Sequence, residues 1–264
     1  MPPVTLTTLR KMKDSRERFA CLTAYDATFA HLLSAAGIEV LLVGDSLGMV
    51  IQGARSTVPV TLEDILYHTR CVAAGNQNAL VMADLPYMTY AFPEQAVNAA
   101  AQVMQAGANV VKLEAADNLP EIIRVLSARS IPTCAHIGLA PQAVDKLGGY
   151  RVQGRGTHAA ESLIETAVEL ERAGADLLLT ECIPASLARI ITQQLTIPVI
   201  GIGAGSDTDG QILVMHDMLG ATTGHVPKFV RNFLADAGSI DEAARGYRDA
   251  VRAGSFPAPE HCFD

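Results

Sequence analysis

A short, nearly continuous apolar run recurs along this chain, and a longer amphipathic stretch separates each run from the next. The runs are Phe19–Thr23, Glu39–Gly44, Ala79–Ala83, Asn109–Leu113, Ile131–Ala135, Asp176–Thr180, Ile197–Ile202 and, more weakly marked, Ala221–Thr223. Helical patterns fill the intervals at Ala27–Ala36, Leu62–Ala74, Glu94–Ala106, Leu119–Ala128, Ala159–Ala173, Pro184–Gln194 and Gly210–Leu219. Strands that are apolar throughout, each followed by a helix, point to a parallel sheet with both faces covered. Glycine follows the helical stretches at Gly37, Gly75, Gly107, Gly174 and Gly220, where a left-handed C-cap would turn the chain into its next strand. The repeat predicts βα units and leaves open whether the sheet closes. A length of 264 residues suits eight such units in one domain spanning 1–264, with terminal helices over Asn232–Val251. A chain of that size buries a large core without disulfides or a structural metal.

Composition narrows the partners. The net charge is −8, and the densest basic stretch, Arg10–Arg18, is broken by Asp14 and Glu17, so no nucleic-acid footprint is expected. Five scattered cysteines make no Cys-x-x-Cys pair and read as reduced thiols. No basic leader precedes an apolar run, and no apolar stretch approaches membrane-spanning length. The expected compartment is the cytoplasm, with no membrane contact.

Polar residues stand where the apolar runs end. Four of the runs lead into carboxylates, Asp45, Asp84, Glu114 and Glu181, and a fifth leads into His136. One such acid is ordinarily a helix cap, but caps favour Asp, Ser and Thr over Glu. Lys112 and Glu114 are two residues apart and therefore face the same side of a strand. In a barrel these ends would meet at one mouth, where clustered carboxylates repel unless a cation neutralises them. Oxygen donors without a cysteine cluster favour a hard ion, with Mg²⁺ the natural candidate, and Asp45, Asp84 and Glu114 are its expected ligands. Lys112 either pairs with Glu114 or a neighbour, or faces a substrate oxyanion. His136 is either a hydrogen-bonded core histidine or part of the site. Glu181 is a further ligand or a general base whose pKa apolar neighbours such as Leu179 and Ile183 would raise. Two connections following strands are long, Ser46–Thr61 and Ile137–His158, and in a barrel both would lie at the catalytic face. Gly201–Gly205 is either a phosphate grip or a tight turn, and it lacks the helix-opening context of a dinucleotide site.

Several longer motifs in order resemble the 3-methyl-2-oxobutanoate (ketopantoate) hydroxymethyltransferase family over essentially the whole chain. They are Thr23-Ala24-Tyr25-Asp26, Leu42-Val43-Gly44-Asp45-Ser46-Leu47-Gly48-Met49, Ala83-Asp84-Leu85-Pro86, Val111-Lys112-Leu113-Glu114, Gly149–Gly156, Ile200–Gly205 and Asp209–Asp217. The resemblance implies an α/β fold, a (β/α)8 TIM-type barrel of the phosphoenolpyruvate/pyruvate superfamily. It implies transfer of a hydroxymethyl group from 5,10-methylenetetrahydrofolate to 3-methyl-2-oxobutanoate through a metal-stabilised enolate. The products are 2-dehydropantoate, on the route to pantothenate and coenzyme A, and tetrahydrofolate. It further implies one Mg²⁺ per subunit and a homodecamer of two five-membered rings. By motif, Asp45, Asp84 and Glu114 match the metal site, Glu114 directly or through water. Asp45, Ser46, Asp84, Lys112 and His136 match substrate contacts, and Glu181 matches the proton acceptor. Four residues beside these depart from the family pattern: Ala115-Ala116 where a glycine pair is common, Ala135 where glycine precedes the histidine, and Thr180 where an aliphatic residue is usual.

A lyase or mutase of the same superfamily acting on a 2-oxo acid would share the carboxylates, and the Gly149–Gly156 segment favours the transferase. A non-catalytic scaffold has no need of Lys112, His136 and Glu181 alongside the acids.

Overall fold

A computed structural model describes residues 2–114, 116–149 and 151–264. Ala115 and Tyr150, both within segments singled out above, lie outside the described residues. Eight parallel strands form a closed barrel in sequence order: β1 (Phe19–Thr23), β2 (Val40–Val43), β3 (Leu80–Asp84), β4 (Val110–Glu114), β5 (Thr133–Gly138), β6 (Leu177–Glu181), β7 (Val199–Ile202) and β8 (Gly210–Leu213). The helices among the described residues are α1 (Leu6–Asp14), α2 (Ala27–Ala35), α3 (Leu47–Val50), α4 (Leu62–Gly75), α5 (Pro93–Gln105), α6 (Leu119–Ser127), α7 (Val144–Leu147), α8 (Thr157–Ala173), α9 (Ala185–Gln194), α10 (Met215–Met218) and α11 (Ile240–Arg252). The sheet that the strand–helix pattern left open therefore closes, as the family resemblance implied, with β1 pairing to β2 on one side and β8 on the other.

Closure gives each strand two buried faces, and side chains alternate between them. Phe19, Cys21, Val40, Leu42, Leu80, Met82, Val110, Cys134, Leu177 and Leu179 pack together inside the cylinder. Their neighbours Ala20, Leu22, Leu41, Val43, Val81, Ala83, Val111 and Leu178 pack outward under the helices. This parity decides where the later chemistry can be. Asp84, Lys112, Glu114, His136 and Glu181 each follow an interior residue by two, four or a further even step, so all five belong to the interior face at the C-terminal rim.

Three elements differ from the expectation, one of them the terminal stretch Asn232–Val251, where a 3₁₀ turn at Leu234–Asp236 precedes the single α-helix α11. The eighth strand is Gly210–Leu213, within a segment that reads as helix, and Ala221–Thr223 forms no strand. Its four residues include one glycine and one glutamine, so it carries no β-branched run. Glycine is needed at 210 because a Cβ there would overlap the Phe19 ring. The pairing Phe19↔Gly210 to Leu22↔Leu213, not local propensity, makes this a strand. The remaining difference is α1, which begins on a reciprocal Thr5–Thr8 capping box. Its Leu6, Leu9 and Met12 recur every third residue and pack against the interior cluster from the N-terminal end of the barrel. All five cysteines are free thiols.

The N-terminal rim is tied by acids at strand starts. Asp209 accepts from the Val199 amide at 2.8 Å and from Lys13 Nζ at 2.7 Å. Asp176 Oδ1 accepts from Arg10 at 2.6 Å. Glu39 accepts from the Ala20 amide at 2.8 Å and pairs with Arg252 of α11. From the same helix, the Tyr247 hydroxyl lies 3.0 Å from the Cys21 carbonyl and 2.8 Å from that of Gln211, spanning the β1–β8 seam. Leu9, fully buried, is the central contact of α1. Leu9→Ala is expected to cost about 2–5 kcal/mol in denaturant unfolding. A loss below about 1 kcal/mol, the scale of a surface change, would mean that α1 does not seal the barrel.

Candidate active site

The rim opposite α1 gathers every residue that sequence nominated. β2 ends at Val43, so Asp45 and Ser46 lie beyond the strand and escape its parity. The chain turns there at Gly44, where a Cβ would stand 2.8 Å from Ser46 Oγ and 3.5 Å from Asp84 Oδ2. Asp84, ending β3, is the hub. Its Oδ1 accepts from Lys112 Nζ at 2.6 Å, and its Oδ2 accepts from the Asp45 amide at 2.9 Å. The β4–β5 register sets Glu114 beside His136, and β5–β6 pairing brings Glu181 to the same rim. His136 Nδ1 lies 3.5 Å from Glu114 Oε1, and Nε2 lies 3.3 Å from Glu181 Oε2. Ser46 Oγ meets the Tyr25 hydroxyl at 2.9 Å.

Burial makes these charges interact strongly. Asp45, Asp84, Lys112, Glu114 and His136 are each no more than 5% exposed, whereas the Glu181 side chain keeps 16%. Burial, with Asp84 and Glu114 beside it, pushes the Asp45 carboxyl well above the usual carboxylate range. Burial also pushes Glu114 up, but His136, Lys112 and the Gln142 amide outweigh it, and its carboxyl ends below its ordinary value. Burial would discharge Lys112, but Asp84, Glu114 and Asp45 hold its proton more firmly than usual. Burial and Lys112 push His136 down, yet Glu114 and Glu181 raise it to about 9, so it is an imidazolium at neutral pH. The two His136 contacts are charge attractions and not directed hydrogen bonds: both ring nitrogens and Glu114 Oε1 are buried without a hydrogen-bond partner.

Four carboxyl groups, of which burial favours the protonated form of Asp45, thus face two cations, Lys112 and His136. The excess negative charge, the hard oxygen donors and the unpartnered Glu114 Oε1 suit a divalent cation. Among the described residues, no three His, Cys, Asp or Glu side chains already converge on one coordination point. The oxygens instead meet Lys112, the Asp45 amide and Gln142.

Gln142 is the participant that strand-end reasoning missed. It lies in a 3₁₀ turn, Pro141–Ala143, within the long connection after β5. Its Nε2 donates to Asp45 Oδ2 at 2.8 Å, and its backbone amide donates to Glu114 Oε2 at 2.9 Å. Loop length was the only signal for it. Tyr25 is the second such residue, placed by a strand-end motif that was matched without a role. Gly203 and Gly205 take positive φ (58° and 77°), and the Gly205 carbonyl accepts from Gln211 at 2.8 Å.

A family model for ketopantoate hydroxymethyltransferase matches residues 3–259. A 3-methyl-2-oxobutanoate hydroxymethyltransferase of Marinobacter nauticus is 59% identical over 260 residues, 98% of each chain. Its counterpart in Escherichia coli O157:H7 is 55% identical over 263 residues, all of both chains. Among solved structures, a phosphonopyruvate hydrolase aligns with TM-score 0.64 at 16% identity, covering 98% of this chain and 99% of its own. A 2,3-dimethylmalate lyase of the PEP mutase/isocitrate lyase superfamily aligns at 0.61 and 19%, covering 84% of each. At such identities the last two speak for the barrel alone.

The raised Asp45 carboxyl yields a stability prediction with a definite sign. A group that binds its proton more tightly folded than unfolded stabilises below the unfolded pKa and loses that contribution as pH rises through the folded one. Asp45→Asn removes the loss. The metal-free variant is expected to be more stable than the parent at neutral pH, by on the order of 1 kcal/mol, with the gap closing toward acid. Thermal melts across pH in chelator measure this, and a variant less stable than the parent at pH 7 would refute it.

Proposed function

The chain belongs to the ketopantoate hydroxymethyltransferase family, and we infer that it converts 3-methyl-2-oxobutanoate and 5,10-methylenetetrahydrofolate to 2-dehydropantoate and tetrahydrofolate, a step of pantothenate biosynthesis. The observation that carries the reading is the buried group of acids at the rim, Asp45, Asp84 and Glu114, with Lys112, His136 and Glu181 around it. A lyase or mutase action is not favoured, because its support is the shared barrel at low identity, whereas the transferases match over their full length.

In this reading Asp45, Asp84 and Glu114, the last directly or through water, hold Mg²⁺, whose contribution is Lewis-acid polarisation of the keto carbonyl. Glu181, partly exposed at the rim, takes the proton from C3 of the keto acid, and the C–H electrons move into an enolate. The Lys112 ammonium, kept charged by three acids, faces the developing oxyanion. The Ser46 hydroxyl and the His136 imidazolium hold the substrate carboxylate, satisfying ring nitrogens that otherwise have no partner. C3 then bonds to the folate-borne methylene carbon, whose two C–N bonds to folate both break; water supplies the hydroxyl oxygen, and the proton from C3 and one from water end on the two folate nitrogens, giving tetrahydrofolate.

The whole chain acts as one barrel unit, and the enzyme assembles as a homodecamer of two five-membered rings. Free thiols suit the reducing cytoplasm, the compartment of this reading. Among the described residues, no helix is long and apolar enough to cross a membrane. Light scattering is expected to return ten times the 27.9 kDa chain mass, and a monomer or dimer would exclude the assembly.

The decisive assay is C3 proton exchange of 3-methyl-2-oxobutanoate into deuterated water without folate. Wild type with Mg²⁺ should exchange, chelation should stop it, and Glu181→Gln should slow it about 10²–10⁴-fold. Unchanged exchange in Glu181→Gln overturns the base assignment. Absence of both exchange and ketopantoate formation in wild type overturns the function.

A further inference from the structure

We propose that Gln142, its side-chain amide aimed by the Tyr90 hydroxyl, is the positioning residue that fixes Asp45 and Glu114 from the loop after β5. This rests on the reading of those two carboxylates as cation ligands.

Gln142 is 8% exposed, and each of its inward polar groups has a partner. Tyr90 donates to Oε1 at 2.7 Å. The Asp45 carboxylate and the Leu85 carbonyl can only accept, so Nε2 faces them and Oε1 is left to accept from Tyr90. Nε2 then gives one hydrogen to Asp45 Oδ2 at 2.8 Å and the other to the Leu85 carbonyl at 3.1 Å. The backbone amide of the same residue donates to Glu114 Oε2 at 2.9 Å. One residue thus constrains carboxylates from β4 and from the turn after β2, two strands that do not pair with each other.

The arrangement is more than filling. On its outer side Gln142 lines a cavity of about 270 Å³ with Val58, Tyr87, Ala143, Asp145 and Lys146, so it is a partition between that cavity and the acids. A space-filling residue in that wall would not need four directed hydrogen bonds. Buried carboxylates that repel one another splay apart unless donors hold them. Lys112 and the Asp45 amide serve Asp84, whereas Asp45 and Glu114 rely on Gln142. Partners of this kind, outside the ligands themselves, commonly carry about 10–100-fold in metal affinity.

The test uses the full-length protein as wild type, Gln142→Ala, Gln142→Glu and Tyr90→Phe. Mg²⁺ binding to substrate-free protein is measured by calorimetry, KM and kcat for 3-methyl-2-oxobutanoate by assay, and fold integrity by thermal melt. Gln142→Ala should weaken Mg²⁺ about 10–100-fold. Tyr90→Phe, which removes one oxygen and leaves the amide in place, should weaken it by a smaller factor while melting near wild type. Gln142→Glu separates aim from charge: it adds a carboxylate but turns the donor facing Asp45 into an acceptor. If positioning is what matters, it binds Mg²⁺ more weakly than wild type. If only charge and volume matter, it binds as tightly or more tightly, and the proposal is overturned. It is likewise overturned if folded Gln142→Ala and Tyr90→Phe both bind Mg²⁺ as wild type does. Wild type that binds no divalent ion yet exchanges the C3 proton would sink the metal assignment alone. The variants' KM and exchange rates would then decide the role of the amide: unchanged values refute it, raised KM with slowed exchange supports it.

Discussion

Lys112 rises from the inner wall of β4 to within 2.6 Å of Asp84, and it does so at 5% exposure among acids on every side. Removing an ammonium from water is costly, and this one is stabilised only because Asp84, Glu114 and Asp45 surround it. The dependence is mutual, since three carboxylates at 2–4% exposure would not stay together without it. The pair also orients the site. Asp84, fixed by Lys112 through one oxygen, uses the other to hold the Asp45 amide, so the turn after β2 is anchored to β3 by way of β4. What the rim can bind follows from how this charge balance is left incomplete.

Acids at the other rim have a different physical task. Glu39, Asp176 and Asp209 precede their strands, accept from backbone amides of neighbouring strands, and pair with Arg252, Arg10 and Lys13. Their charges are balanced within the fold. Those of Asp45, Glu114 and Glu181 are not, and His136 stands between two of them without a directed hydrogen bond to either. Position along the strand thus separates acids whose charge the fold balances from acids whose charge it leaves uncompensated.

The reach of the sequence tracks this division. Asp84, Lys112, Glu114, His136 and Glu181 were legible because they end runs whose two-residue period is visible in one dimension. The closed barrel was legible only through the family resemblance, because the strand–helix pattern alone does not show β8 meeting β1. That strand carries Gly210 to make room for Phe19, and so it lacks the residues that mark a strand. Gln142 and Tyr90 were illegible for a related reason. Their roles come from contacts across 52 positions, with Asp45 a further 97 away from Gln142, and neither sits on a repeating face. Helix α1 could have been found from Leu6, Leu9 and Met12, but the basic residues among them masked the apolar stripe.

That first helix bears on how the chain reaches its final form. Its apolar face packs on the inside of the cylinder, and Lys13 reaches Asp209, 196 positions later. Until β8 has joined β1, the surface that α1 must cover does not exist. The segment translated before any strand is therefore among the last to dock, and contacts so distant along the chain form slowly. During that interval Leu6, Leu9 and Met12 are solvent-facing on a nascent amphipathic helix, a stretch that a chaperone can grip before the barrel does.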